Sequence, residues 1–225
     1  MEHARLPDSE TTETHHVVEW LRAFESALTS GDAEKLREIT GDEMHWRDLL
    51  AFTWSITPHD DVDGFIDSLL KAQETAKACN FKLARGRTPP RTVMRHGRES
   101  IEALFTFETA TGRGEGLVRL LAAEPTRAWV MATTLDEIKG HEEPVDSRRP
   151  IEAPSAGGYG GQNWADLRRI EQAFEDREPA VLIIGAGQAG LAIAARLRLL
   201  GVDTLLVDTS ERVGDTWRNR YHSLA

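Results

Sequence analysis

Three glycines in the 225-residue chain, Gly185, Gly187 and Gly190, close the stretch Val181-Leu-Ile-Ile-Gly-Ala-Gly-Gln-Ala-Gly190. An apolar run precedes them and an alanine- and leucine-rich run follows, so they sit where a strand turns into a helix. Each has a use there. Gly185 permits the tight turn, Gly187 leaves room for a diphosphate to approach the backbone, and Gly190 lets helix and strand pack closely. The loop positions between them, Ala186, Gln188 and Ala189, bring main-chain N–H groups to the helix start, where the positive end of the helix dipole attracts an anion. Asp208 stands 23 residues after Gly185, at the end of the second apolar run. A carboxylate at that place accepts hydrogen bonds from ribose hydroxyls, and its charge disfavours a 2′-phosphate. The chemistry implied is dinucleotide binding, FAD and NAD being equally compatible with these residues. The competing reading is a glycine-rich turn that serves packing alone.

The positioning elements follow from the same pattern. Strand Val181–Ile184, a helix from about Gln188 to Leu200, a stop at Gly201 and strand Leu205–Val207 make one β-α-β unit of a parallel sheet. A short helix, Trp164 to Phe174, precedes it with Leu167, Ile170 and Phe174 on one side. Residues 141–162 hold three prolines and four glycines with almost no large apolar side chains, which reads as a linker. The expected division is therefore 1–140, a linker at 141–162, and 163–225.

Residues 1–140 have a complete pattern of their own. Val17, Leu21, Phe24 and Leu28 recur at helical spacing before Gly31, and Asp32 caps a second short helix bearing Leu36 and Ile39. A third helix is expected from about Asp60 to Ala78, with Phe65, Ile66 and Leu69 on its apolar face. The period then becomes two: Phe81 and Leu83, then Ile101, Ala103, Phe105 and Phe107, then the runs Leu117–Ala122 and Ala128–Leu135. Helices followed by antiparallel strands predict an α+β fold.

Other chemistry-bearing residues carry less. His45, Asp48, His59 and Asp61 contain the types needed for acid/base work, but alternation along a strand puts His45 opposite Asp48, and a surface role is the expectation. His15 and His16 are adjacent and so do not share a helix face. His141-Glu142-Glu143 lacks a second histidine at metal-binding spacing, and no metal site is expected. Tryptophans other than Trp217 are expected in the core or at domain contacts. Cys79, the single cysteine, is placed at a helix end; it excludes disulfide scaffolds and thiolate zinc clusters and suits a reducing, cytoplasmic setting.

The formal net charge is −10, and residues 1–60 alone carry 13 acidic and 5 basic side chains. No basic stripe is present, so neither nucleic acid nor an anionic membrane is an expected partner. The N-terminal residues lack the layout of a signal peptide, and the longest weakly polar run, Ala180–Ala195, is too short to span a bilayer.

The stretch Asp208-Thr-Ser-Glu-Arg-Val-Gly-Asp-Thr-Trp-Arg218, following the glycine loop, resembles the start of flavin-containing monooxygenases and related class B flavoprotein monooxygenases. The resemblance implies a Rossmann-type FAD domain in which Gly185, Gly187 and Gly190 hold the FAD pyrophosphate and Asp208 the adenosine ribose. Gly214, Thr216, Trp217 and Arg218 would lie close to the cofactor. Asp215 departs from the family, which has a second glycine there. Weaker likeness covers Leu135–Glu143 and Asn163–Arg169, which look like the connector in members with an extra N-terminal domain. In layout, residues 15–140 resemble the curved-sheet cone of the ketosteroid isomerase and nuclear transport factor families, some of which pair as homodimers.

The family implies a monooxygenase in which NAD(P)H, bound by a later domain, reduces FAD, and an oxygen atom then passes to a small-molecule substrate. On that likeness the chain reads as the N-terminal portion of such an enzyme, inactive by itself, with no residue assigned as catalytic acid, base or nucleophile. The alternative expectation is a non-catalytic product whose cone domain is a ligand-binding or dimerising module.

Overall fold

The computed structural model of the chain describes residues 11–144, 163–175 and 177–220. The chain divides into two compact units, Met1–Gly140 and His141–Ala225. Most of the expected linker, residues 145–162, lies outside the described residues. Among those described, no helix is long and apolar enough to cross a membrane.

The first unit is α+β. Helix α1 (Thr12–Ser30) buries Val17, Trp20, Leu21, Phe24, Ala27 and Leu28, the i, i+3, i+4, i+7 stripe that the sequence displays. Thr11 caps its start by accepting from the Thr14 amide, and Gly31 ends it in the left-handed conformation (φ 69°). Helix α2 (Ala33–Glu38) is capped by Asp32, which accepts from the Lys35 amide at 3.0 Å. Strands β1 (Thr40–Leu49) and β2 (Ile56–His59) precede helix α3 (Val62–Ala76); strands β3 (Cys79–Leu83), β4 (Arg91–Arg95), β5 (Arg98–Glu108), β6 (Gly112–Leu121) and β7 (Glu124–Ile138) follow it.

The sheet order is β2-β1-β7-β6-β5-β3, with β4 also paired to β5. Most neighbours are antiparallel, but β1 and β7 run parallel, so the sheet is mixed rather than purely antiparallel. The meander β5-β6-β7 returns the chain alongside its own first strand. The inner face of this sheet and α1–α3 enclose a core that includes Met44, Trp46, Phe52, Phe65, Phe81, Phe105, Phe107, Leu120 and Met131.

Packing on β6 explains an element that periodicity only partly reveals. Gly112, Gly114 and Gly116 alternate on the inner face, and Phe107 and Phe105 stand directly opposite Gly114 and Gly116 across the ladder. A Cβ at Gly114 would lie 2.4 Å from Phe107 Cζ, and one at Gly116 2.2 Å from Phe105 Cζ. The two rings therefore fill the space that side chains on β6 would otherwise occupy. Three alternate glycines carry no apolar signal, so the strand begins five residues before the run Leu117–Ala122 announces it. Strands β2 and β4 have no expectation behind them either. Pro58 sits in β2, and of the β4 side chains only Val93 and Arg95 are even partly buried; edge strands carry little hydrophobic patterning. Trp54 is 56% exposed, so of the two places expected for it, core or domain contact, it does not take the core, and Cys79 opens β3 instead of ending α3.

The second unit contains helix α4 (Trp164–Ala173), strand β8 (Val181–Ile184), helix α5 (Gln188–Leu199), strand β9 (Thr204–Val207) and the short helix α6 (Asp215–Arg218). Asn163 and Asp166 form a capping box at the start of α4. Strands β8 and β9 pair in parallel, Val181 with Thr204 through Ile184 with Val207. Gly201 turns the chain out of α5 at φ 70°. This is the expected β-α-β unit, with its boundaries within one residue of expectation. Helix α5 packs on the face bearing Ile183, while Leu182, Ile184 and Val207 on the other face are exposed.

Candidate functional site

Strand β8 delivers the chain into the glycine loop. The Gly185 amide donates to the Val207 carbonyl at 2.8 Å, tying the loop to the end of β9. Gly185 has φ 106°, a conformation that L side chains rarely adopt. Gly190 is fixed by space: a Cβ there would lie 1.9 Å from the Gly185 carbonyl oxygen. Gly187 differs from both. Its backbone is extended (φ −74°, ψ −171°), which any residue tolerates, and a Cβ on it would meet nothing within 4 Å. Sterics account for two of the three glycines; at the middle one neither the backbone angles nor the surroundings require the side chain to be absent.

Gly187 is also the N-cap of α5 and provides no side-chain cap. The first intrahelical bond runs from the Leu191 amide to the Gly187 carbonyl. The amides of Gln188, Ala189 and Gly190 consequently have no protein acceptor among the described residues, and they mark the positive end of a twelve-residue helix.

Asp208 comes to the same loop from β9. One carboxylate oxygen accepts from the Ala186 amide at 2.5 Å, and the other accepts from the Ser210 amide at 2.6 Å. The Ala186 amide, with the Ser210 amide and hydroxyl behind it, holds the Asp208 carboxyl below its ordinary value of 3.8. The sequence spacing brought Asp208 to the loop but did not reveal that it fastens it. The signal available was Ser210, two residues on, the spacing of an Asx turn.

An expected outcome follows for Asp208→Ala. The Ala186 amide loses its acceptor, so its hydrogen exchange should accelerate even without ligand, while circular dichroism stays unchanged. In the native chain the link depends on the ionised carboxylate. A lowered folded value means that it is complete at and above pH 5, and that it is lost as pH falls through that value, below 3.8. Ala186 exchange that is the same in the variant and the native chain at pH 6 would remove this role.

The remaining expected site residues lie just downstream. Gly214 adopts φ 89° ahead of α6, Thr216 is exposed, and Trp217 is 39% exposed. Asp215, which stands in place of a glycine, is buried and accepts from the Arg212 amide at 3.2 Å and from Arg218 Nη1 at 2.9 Å. Its conformation is helical, so no glycine is required there, and the Arg218 bond is the largest influence holding its carboxyl low. Arg218 also donates to the Val213 carbonyl. Among the described residues, the side-chain hydrogen bonds of Gly214–Arg218 stay within 212–218. The structure thus joins Asp208 to the glycine loop by a hydrogen bond and makes α6 a separately braced turn.

In the first unit, the four acid/base candidates are dispersed. Asp48 is fully buried, which corrects its expected surface role. Its Oδ1 accepts from the Thr133 hydroxyl at 2.8 Å; its Oδ2 accepts from the Phe52 amide at 3.0 Å and from the Thr53 amide and hydroxyl, both at 2.8 Å. Trp46 Nε1 donates to the same Thr133 hydroxyl at 3.0 Å. The carboxylate pins the turn after β1, where Leu50 and Trp54 take positive φ. Asp61 caps α3 through the Gly64 amide, His59 stacks on Trp46, and His45 stands edge-on to Trp129 on the outer side. These are structural roles. Asp48→Ala strands two buried or half-buried amides and two hydroxyls, so a loss of about 3 kcal/mol or more is expected, read as a lower urea midpoint with an unchanged slope.

Comparison with known proteins adds the following. Residues 183–222 match the family described as NAD(P)-binding Rossmann-like domain. The chain is 50% identical over 44 residues to an uncharacterized CzcO-like oxidoreductase of Geobacillus kaustophilus, covering 20% of this chain and 13% of that protein. It is 42% identical over 43 residues to an uncharacterized oxidoreductase, CzcO, of Bacillus velezensis, covering 19% and 12%. The matched stretch is therefore a small part of both relatives. Similar solved structures include a protein with a cystatin-like fold from Caulobacter vibrioides (13% identity, 56% of this chain and 91% of that one, TM-score 0.43). Others are a putative isomerase from Bacillus subtilis (14%, 56% and 90%, TM-score 0.38) and an NTF2-like protein from Burkholderia xenovorans (16%, 54% and 90%, TM-score 0.33).

Proposed function

We propose that residues 181–220 begin the FAD-binding domain of an NAD(P)H-using oxidoreductase of the monooxygenase kind, acting on a small-molecule substrate in the cytoplasm. The observation that carries this reading is Gly187. It has ordinary backbone geometry and open space around it, so its lack of a side chain serves something outside the chain. A diphosphate is the ligand that fits: the uncapped amides of Gln188, Ala189 and Gly190 stand beside it and offer donors and a positive potential to an anion.

Asp208 then serves both sides. Its carboxylate has about four acceptor positions; the Ala186 and Ser210 amides and the Ser210 hydroxyl draw on three, leaving capacity for a ribose hydroxyl. FAD is favoured over NAD as the resident group by the likeness of Gly214–Arg218 to the flavin-adjacent segment of class B monooxygenases. When bound, FAD supplies the redox chemistry, taking hydride from the nicotinamide and passing electrons to oxygen. The residues of this chain hold its adenosine diphosphate half and keep the loop in shape. The oxidoreductase names of the two curated relatives support the same class.

Amide NMR of the full chain tests the reading, because it registers weak binding. Titration with FAD should shift Ala186–Leu191 and Ser210, and NADP should shift them less, since its 2′-phosphate meets the Asp208 charge. An unperturbed loop at millimolar FAD, or shifts confined to other residues, would overturn it.

A further inference from the structure

On the outer face of the first unit's sheet, two adjoining clefts of about 600 and 470 Å³ share His45, Arg119 and Val130. Both volumes fall in the range of small-molecule sites. Strand pairing lays their walls out in two neighbouring rows. One row runs Pro58, Arg47, Ala132, Leu117 and Leu104; the other runs His45, Val130, Arg119 and Glu102. Ala132, Leu117 and Val130 make an apolar floor, partly buried. Arg47 and His45 lie two residues apart on one strand, roughly 7 Å along it, and rise from the same edge of that floor.

The charge here runs against that of the molecule. Glu102 is shared among three guanidiniums: Arg119 at 2.8 Å, Arg95 at 3.0 Å and Arg91 at 3.6 Å. Glu43 is paired with Arg98 at 3.1 Å, and Arg98 lies over the Trp129 ring at 4.9 Å. The residues lining the two clefts hold three guanidiniums, Arg47, Arg98 and Arg119, against two carboxylates, Glu43 and Asp60, in a chain of net charge −10. Among the described residues, Arg47 has no ion pair or hydrogen bond, although its neighbours Arg98 and Arg119 are both paired. An exposed arginine at the edge of an apolar floor, its donors meeting no acceptor among the described residues, is disposed for an outside acceptor.

We propose that this cleft binds a small organic acid, its flat apolar body on Leu117, Val130 and Ala132 and its carboxylate on Arg47, with His45 as the second contact. The site is independent of the glycine loop and of the flavin reading. Charge complementarity selects the anion, the floor selects an apolar body, and the open rim sets no tight limit on length.

The test is calorimetric titration of the full chain with 1-naphthoate and with its neutral isostere 1-naphthamide. Naphthoate should bind at least 10-fold more tightly than the amide. Arg47→Gln, a surface change, should reduce naphthoate affinity about 10-fold or more, the loss of one charge-assisted hydrogen bond, and leave the amide unchanged. Arg22→Gln, on an exposed helix face, should alter neither. Equal affinities for acid and amide, no heat with naphthoate at millimolar concentration, or insensitivity to Arg47→Gln would each overturn the proposal. So would sedimentation showing that this face is closed by a second copy which naphthoate does not displace.

Discussion

Gly116→Val is expected to leave the first unit unable to reach its native packing. The new Cβ would lie 2.2 Å from Phe105 Cζ and 2.7 Å from the Ala132 carbonyl oxygen, and Phe105 is fully buried. Relief requires both the ring and the neighbouring strand to move. Overpacking of this kind costs about 1–3 kcal/mol when a side chain alone can yield, and more when it cannot. Here the obstacle on one side is backbone, so a loss of about 3 kcal/mol or more is expected. Thermal melts followed by near-ultraviolet circular dichroism should show a large fall in Tm or no cooperative transition. Adding Phe105→Ala should not restore stability, because the Ala132 carbonyl remains in place and the buried ring is lost as well. If Gly116→Val melts within a few degrees of the native chain, the ring-over-glycine packing does not hold.

The second large effect separates Gly187 from Gly190. Gly187→Val should leave the β-α-β unit folded, since neither its dihedral angles nor its surroundings oppose a side chain. It should abolish the FAD-induced shifts of the loop amides, because the isopropyl group occupies the diphosphate's approach. Gly190→Val should do something different. Its Cβ would sit 1.9 Å from the Gly185 carbonyl oxygen, so α5 must leave β8 and the amide spectrum of residues 181–207 should collapse without any ligand. A loop that serves packing alone predicts structural damage from both substitutions. Gly187→Val that still responds to FAD as the native chain does would remove the diphosphate from this site.

The parts legible in the sequence are those where one residue type answers to one physical demand. Val181–Ile184, Gly185, Gly190 and Asp208 announce strand, turn, helix and acid because each position tolerates few alternatives, and Gly187 completes the spacing. Helix α1 is equally plain, its apolar stripe lying between Thr11 and Gly31. Strand β6 is obscured because its inner positions are glycines, whose packing value belongs to Phe105 and Phe107 on another strand. The parallel join of β1 and β7 leaves no local mark, since pairing partners far apart in sequence are chosen by the assembled sheet. Asp48 shows the limit most clearly. An aspartate beside an arginine and three residues from a histidine reads as surface, and only the arrival of Thr133, Phe52 and Thr53 makes burial tolerable. At the glycine loop, the sequence conveyed that Asp208 would be near but not that its carboxylate would already be engaged with Ala186.

The parallel join has a consequence for how the protein is made. Asp48 receives the Thr133 hydroxyl from 85 residues further along the chain, and on the side away from β2 Thr40–Leu49 find their partner in Ala128–Thr134. At roughly 5–20 residues per second of synthesis, β1 emerges from a ribosome several seconds before β7 can exist. During that interval Met44 and Trp46 have no sheet to enter on that side, and α1 and α3 have an incomplete surface to cover. Completion of this domain during translation is thus a late event, timed by its last strand, and the nascent chain depends on the earlier helices, or on a chaperone, to keep those side chains from other contacts.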